Sequence, residues 1–279
     1  QVWRTHYMKE RGNLNLMYHK NRLTLNGTAG FANQSDWKKD ETESFLKESA
    51  TTTWQESKIT GFTRRANGTI DWEYQLSDKD EVGGNVSFSY SKLDWTDKGR
   101  LKQAGADKEK ALNVRHDNDL ERDRTDAGVN LFYQRRFNQP DQVLNIDFDY
   151  THSRNKQFVW NRMDNLDDNL QYLSPYNYYQ ENVPQNSNVW SGKIEYRQNV
   201  GKNQWTAGVD SYYSKIDNKD TFMQGTDDGY VNDEKQSNHF ALQEWTSAFF
   251  VSWKREWNHF APEIRSSKRR WTWMCRSQS

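Results

Sequence analysis

The sequence lacks the features that mark several common classes of protein. It contains one cysteine, Cys275, in 279 residues, so an internal disulfide framework is excluded. No apolar run approaches the roughly 18 to 20 residues that a membrane-spanning helix needs. Lys and Arg total 39, and Asp and Glu also total 39. This zero net charge gives no electrostatic reason to expect a nucleic-acid partner.

Motifs for catalysis and metal binding are missing as well. No Gly-x-Ser-x-Gly elbow occurs, and the six histidines are dispersed without the spacing of a zinc site. The acidic group Asp164, Asp167 and Asp168 lacks the spacing of an EF-hand loop. We interpret it as a solvated acidic segment, with a divalent ion that bridges loops as the alternative. We therefore expect no enzymatic activity, no cofactor and no dedicated metal site.

The chain is nevertheless rich in aromatic residues. Hydrophobic residues make up only 33% of it, yet Phe, Trp and Tyr account for 14%. Disordered chains contain few aromatic residues, because each one is a large apolar surface that favours folding. A chain that is polar overall and rich in aromatic residues is typical of a sheet in which only every second residue is apolar.

Strict alternation of apolar and polar residues is the main structural signal. From Ala66 to Leu76, even positions are small, aliphatic or aromatic and odd positions are polar. After a turn the alternation resumes from Val82 to Tyr90, which predicts a β-hairpin. The same unit recurs around turns near residues 20–21, 138–141, 200–203 and 254–256. The pattern predicts about ten antiparallel strands, each with one apolar and one polar face.

Connection lengths alternate along the chain. The turns are short, whereas four intervening segments are long and charged and are interpreted as loops: 33–56, 92–125, 153–187 and 214–238. Short turns on one side and long loops on the other are typical of a transmembrane barrel. The fold class predicted for residues 1–260 is all-β, a partial antiparallel transmembrane β-barrel meander with an open sheet. We expect it in the bacterial outer membrane, in contact with lipid. A soluble two-layer sandwich would alternate in the same way and is the alternative.

The final segment, residues 261–279, departs from this pattern. It contains Pro262, five basic residues, one acidic residue and no alternation. We interpret it as an atypical basic tail and hypothesise a frameshift near residue 261. The nucleotide sequence would test this by showing whether another reading frame restores the strands.

Three stretches resemble the barrel of TonB-dependent receptors, especially the large family of Bacteroidetes-type bacteria. They are Gly12–Tyr18, the hairpin from Gly68–Tyr74 to Val86–Tyr90, and Phe240–Val251. The resemblance extends over residues 1 to about 260 and implies a barrel of about 22 strands around a separate N-terminal plug. It also implies coupling to TonB through a box on that plug. This chain contains neither plug nor box, so we expect a fragment of such a barrel.

The resemblance implies uptake of a scarce nutrient: siderophore-bound iron, cobalamin or a glycan. Two other functions stay open at this point. A complete small outer-membrane barrel would act as an adhesin or enzyme and would require Leu14–Tyr18 to pair with Trp257–Phe260 and beyond. A soluble lectin-like β-sandwich would act as a binding module.

An extracellular small ligand would need a binding surface, and aromatic rings can stack on sugars or aromatic chelates. The segment 153–187 is the richest in such rings. Its candidate ligand-binding residues are Trp160, Tyr172, Tyr176, Tyr178 and Tyr179. The alternative is that these rings pack the segment onto its neighbours.

Overall fold

The structure, a computed structural model, describes residues 9–48, 50–104, 112–139, 141–255 and 263–277. These residues form one antiparallel sheet of eleven strands. The strands are β1 Lys9–Lys20, β2 Leu23–Leu46, β3 Thr51–Gln75, β4 Asp80–Ala104, β5 Leu112–Arg136, β6 Val143–Leu166, β7 Tyr172–Val200, β8 Asn203–Thr226, β9 Gly229–Asn232, β10 Asn238–Arg255 and β11 Glu263–Ser277. In the described part of the chain, no helix has the length and apolarity to cross a bilayer.

Every long strand pairs with its neighbours along the chain. The order is β1-β2-β3-β4-β5-β6-β7-β8-β10-β11, and the short β9 pairs only with β8. Among the described strands, β1 and β11 do not pair with each other, so the sheet is open. The prediction of an all-β antiparallel meander with about ten strands and an open sheet is confirmed.

The predicted long loops are wrong. Segments 33–56, 92–125, 153–187 and 214–238 consist mostly of strand, because β2 to β8 are 24 to 29 residues long. A strand of 25 residues extends for about 80 Å, whereas a tilted strand crosses a bilayer in about 9 to 11 residues. The backbone ladder continues beyond the apolar segment, because its hydrogen bonds do not depend on alternating side chains.

The register aligns the apolar segments of neighbouring strands into a continuous band. Cross-strand partners share a face, so one row can be followed over nine strands. That row consists of Leu16, Gly27, Ile70, Val86, Val129, Tyr150, Trp190, Tyr213 and Trp245. We call the face that carries this band the outer face and the opposite one the inner face.

The band lies close to one end of the strands. There, tight turns such as Asn21-Arg22 and Gly201-Lys202 join the strands, with Asn21 and Gly201 at positive φ. At the other end, the strands continue far beyond the band. We call this second part the strand extensions.

The last described strand is β11, whose backbone pairs antiparallel with β10. The described residues omit 256–262, which include Trp257–Phe260 of the fifth predicted hairpin and the point of the hypothesised frameshift. The interpretation of residues 261–279 as a basic tail stays a prediction.

Candidate functional site

Polar side chains on the inner face form hydrogen bonds between strands at the level of the apolar band. Asn85 donates to Asp71 at 2.5 Å and Asn130 donates to Asp149 at 2.7 Å. Lys193 forms an ion pair with Glu195 at 2.7 Å. Charged groups of this kind need water or polar partners, so the inner face lines a hydrated space.

The inner face is also where most of the buried residues lie. Its buried side chains are Ser57, Val114, His116, Asn161 and Ser214. Neighbouring side chains rather than a second layer cover these residues, as expected on the concave side of a curved sheet, so we infer that the inner face is concave. In the strand extensions this face forms a vestibule.

The vestibule contains a group of apolar and aromatic side chains. The register places Trp95, Leu120 and Val159 side by side, and the Tyr179 ring stacks on Phe222 at 5.0 Å. We call these five residues the vestibule patch. Trp95 remains 41% exposed, so the patch has an accessible apolar surface.

Two carboxyl groups lie beside the vestibule patch. Glu181 is opposite Phe222, and Asp220 lies two residues from Phe222. Partial burial raises the pKa of Glu181, and the Asp220 charge raises that pKa further. Burial also raises the pKa of Asp220. The vestibule therefore combines an apolar surface with carboxyl groups that resist ionisation.

A serine, an aspartate and a histidine meet in the vestibule, farther from the apolar band than Trp95 and Leu120. The Ser57 hydroxyl donates to Asp97, and His116 Nε2 lies 3.4 Å from both Ser57 Oγ and Asp97 Oδ1. A nucleophile triad instead uses one ring nitrogen for the serine and the other for the carboxylate. Here one nitrogen faces both groups, and Ser57 is only 5% exposed. This geometry is that of a structural hydrogen-bond cluster.

The outer face differs from the vestibule because its apolar band is bare. Leu16 is 64% exposed, Ile70 57% and Phe249 53%, and no second layer covers them in the described residues. The alternative of a soluble two-layer sandwich is therefore wrong. An exposed apolar surface that extends across many strands requires an apolar environment.

Aromatic contacts border the apolar band on both sides. Toward the strand extensions, the Trp190 ring lies 5.2 Å from Tyr150 and 5.3 Å from Tyr213. Toward the tight turns, Trp205 lies 6.4 Å from Trp253. Trp and Tyr prefer the boundary between lipid tails and water, so these contacts indicate the two membrane interfaces.

Comparison with known proteins agrees with this geometry. Residues 135–263 match the model of a family described as "Outer membrane protein beta-barrel family". No curated protein with a similar sequence was found. The chain is an outer-membrane β-barrel protein. The predicted location in the bacterial outer membrane is confirmed, and the strand extensions of the barrel protein are extracellular, because short turns are periplasmic in such barrels.

The barrel protein does not bring the five predicted ligand-binding aromatics together. All five lie in strands rather than in a loop: Trp160 in β6, and Tyr172, Tyr176, Tyr178 and Tyr179 in β7. Alternation places Trp160 and Tyr178 on the outer face and Tyr179 on the inner face. Tyr176 is the extra residue of a β-bulge opposite Met163 and Asp164. The residues that sequence reasoning missed are Trp95, Leu120, Val159 and Phe222.

Two of the outward-facing aromatics have structural contacts in the barrel protein. Trp160 Nε1 donates to the Tyr230 hydroxyl at 2.8 Å. The Tyr178 hydroxyl donates to Asp164, and the Arg162 guanidinium lies 5.3 Å from the Tyr178 ring. These contacts favour the interpretation that the rings pack neighbouring strands together.

The three aspartates of the predicted acidic segment have different environments. Asp164 is fully buried among basic and hydroxyl partners, and Asp167 Oδ1 accepts from the amides of Asn169 and Gln171 at 2.9 and 2.8 Å. Asp168 is exposed. No group of three or more possible metal ligands occurs among the described residues.

Proposed function

We propose that this barrel protein forms part of the wall of a TonB-dependent receptor. The receptor takes up a scarce nutrient, namely siderophore-bound iron, cobalamin or a glycan. The observation that carries the proposal is the vestibule patch, an apolar surface above a hydrated inner face. A small ligand that arrives from outside meets this surface before it reaches the membrane-spanning part of the barrel.

The open sheet supports a wide barrel. Ten strands pair one after another, and among the described residues the first and last of them do not pair with each other. Closure would need further strands, and a barrel of that size has a lumen too wide for side chains to fill. The charges of Asp71, Asp149 and Lys193 suit a lumen that water or a polar plug occupies. The plug and TonB are the partners that this proposal requires.

The vestibule patch is the ligand-contact region in this proposal. Trp95 offers an exposed ring, and the Tyr179–Phe222 stack offers a second aromatic surface. Of the five aromatics that the sequence suggested, only Tyr179 belongs to it. The neighbouring carboxyl groups of Glu181 and Asp220 would bind hydroxyl or amine groups of the ligand.

Transport measurements in the native bacterium test the proposal. Cells with and without this gene, and with and without functional TonB, are given a radiolabelled ferric siderophore, cobalamin or oligosaccharide. We expect uptake of one of the three to require both the gene and TonB. The proposal would be refuted if uptake of all three compounds were independent of the gene, or if uptake persisted without TonB.

A pair of tryptophan variants tests the ligand-contact region. Trp95→Ala should lower the apparent affinity of uptake about twofold to twelvefold, because an aromatic contact contributes about 0.5 to 1.5 kcal/mol. Trp37→Ala is the matched control, since Trp37 lies on the outer face of the extensions and is 48% exposed. Equal effects of the two substitutions would exclude the vestibule patch as the ligand-contact region.

A further inference from the structure

The outer face of β1 to β4 contains a groove within the apolar band. The groove has a volume of about 390 Å³. Its floor is built from Gly27, Ala29 and Gly68, and apolar side chains of β1, β3 and β4 rise beside it. These wall residues are Leu14, Leu16, Ile70, Val86 and Phe88.

The backbone does not require the two glycines of the floor. A Cβ atom at Gly27 would lie 3.9 Å from its nearest neighbour, and one at Gly68 would lie 3.4 Å away, both ordinary contacts. At Gly83 and Gly99, by contrast, a Cβ would lie 2.5 and 2.0 Å from other atoms. A Cβ atom would fit at positions 27 and 68, so the small size of these two glycines has the effect of keeping the surface groove open.

A cationic side chain lies directly beyond the groove on the same strand. Arg64, Ala66 and Gly68 alternate along the outer face of β3, and Arg64 is exposed. Arg64 and Gly68 are four positions apart on the strand, a distance of about 13 Å. Since Ala66 is small, the path from the groove to Arg64 is open.

The Arg64 guanidinium has no ion pair with a carboxylate in the part of the chain that the structure describes. Arg64 Cζ lies 4.9 Å from the centroid of the Phe62 ring. This cation–π contact positions the side chain without neutralising its charge. Lys92 is the cross-strand partner of Arg64 on β4 and lies 3.5 Å from Asp94. Arg64 is therefore the group available to an anion.

We propose that β1 to β4 hold one phosphate-bearing lipid of the outer leaflet. An acyl chain occupies the groove, and a lipid phosphate binds Arg64, with Lys92 beside it. The environment of the apolar band supplies the chain, and a guanidinium matches phosphate geometry through paired hydrogen bonds. The site depends on the outer-membrane location alone and is independent of the proposed transport.

Lipid retention measures this site directly. The chain is folded in detergent micelles, and native mass spectrometry counts the bound diphosphoryl lipid A, dephosphorylated lipid A or inorganic phosphate. We expect one retained diphosphoryl lipid A, about tenfold weaker retention of the dephosphorylated form, and no displacement by millimolar inorganic phosphate. Equal retention of both lipid forms, or displacement by inorganic phosphate, would exclude the proposed headgroup contact.

Matched variants distinguish lipid bound specifically at this site from lipid that contacts the outer face non-specifically. Gly68→Leu should fill the groove and Arg64→Gln should remove the phosphate contact, so each should weaken retention about tenfold. The controls are Gly192→Leu on the outer face of β7, where a Cβ has 3.9 Å of clearance, and Arg154→Gln on the outer face of β6. If the controls weaken retention as much as the test variants, the lipid is non-specific and the proposal is wrong.

Folding of the variants is checked by circular dichroism. If Gly68→Leu fails to fold, Ala29→Leu narrows the same groove from β2, and Arg64→Gln tests the headgroup contact without a change in the groove. Unchanged retention in Ala29→Leu and Arg64→Gln together would overturn the proposal.

Discussion

Replacing Asp164 by asparagine tests what holds the strand extensions together outside the membrane. The side chain of Asp164 is only 3% exposed. Its carboxylate accepts hydrogen bonds from the Tyr178 hydroxyl and from Arg115 Nη2, the latter at 2.5 Å, and Arg162 Nε lies 3.4 Å away. One carboxylate thus links β5, β6 and β7 on the outer face.

The expected cost follows from the exposure of the partners. Arg115 and Arg162 are 53% and 44% exposed, so water can hydrate them after the substitution and each ion pair contributes about 0.2 to 1 kcal/mol. The hydrogen bond from Tyr178 to a charged acceptor contributes about 1.5 to 3 kcal/mol, of which an amide oxygen preserves part. Asp164→Asn should therefore lower the free energy of unfolding by about 2 kcal/mol.

The effect has a defined pH dependence. Burial raises the pKa of Asp164, but the hydrogen bonds from Tyr178 and Arg115 and the Arg162 charge outweigh burial and lower the pKa below its usual value of 3.8. Because its pKa is lower in the folded than in the unfolded chain, the ionised Asp164 carboxylate stabilises the folded state above pH 3.8. This stabilisation is lost as the pH falls toward the folded-state pKa. The difference between the variant and the original chain should thus shrink below about pH 4.

Urea unfolding of the micelle-bound chain, followed by tryptophan fluorescence, measures this difference. Asp168→Asn is the matched control, because Asp168 is exposed in the same turn region. A double-mutant cycle with Tyr178→Phe isolates the hydroxyl contact. The reasoning is refuted if Asp164→Asn costs no more than the control or if its cost is constant from pH 3.5 to 8.

Three further predictions concern other parts of the barrel protein. Partial burial and the Asp220 charge raise the pKa of Glu181, so ionisation of this carboxyl group destabilises the fold as the pH rises above 4.5, the pKa of the group in the unfolded chain. Glu181→Gln should therefore raise the urea midpoint at pH 7 but not at pH 4. Gly99→Ala should cost about 1 to 3 kcal/mol in the same assay, because its Cβ would lie 2.0 Å from a backbone oxygen; a cost below 0.5 kcal/mol would contradict the packing. Ile70→Lys on the outer face should cost about 2 to 4 kcal/mol of folding free energy in lipid vesicles. Thr69→Lys on the inner face should cost far less. Equal costs would mean that the face in contact with lipid is misassigned.

The hairpins could be predicted from the sequence because their signal is local. Between Ala66 and Tyr90, alternation gives each side chain its face, and the intervening turn defines the register. The same reasoning placed the turns near residues 138–141 and 200–203, where the structure also has them. The outer-membrane location follows from the same local pattern.

The strand extensions were not predicted because segments rich in charged residues were interpreted as loops. In β4, apolar residues lie at even positions up to Tyr90 and then at odd positions, beginning with Leu93 and Trp95. In β5, Leu112, Val114 and Leu120 form the matching set on the inner face. The alternation therefore changes phase where the strand leaves the membrane, because the apolar side chains there face the vestibule instead of lipid.

The candidate site depended on information that no single segment contains. A residue's face follows from alternation, but its neighbours on that face come from other strands, as Phe222 does for Tyr179. This is why Trp160 and Tyr178, close in sequence to Tyr179, lie on the opposite side of the sheet, while Trp95 and Phe222 join the vestibule patch.

By itself, the sequence determined the antiparallel strands, their two faces and the outer-membrane environment, because a period of two and the apolar segment length act within each hairpin. Only the tertiary structure decided how far the strands extend, which aromatic rings meet, and that Gly27 and Gly68 combine into one groove. These features arise from register between strands, which brings distant residues together through backbone hydrogen bonds and leaves no signature in any one stretch of chain.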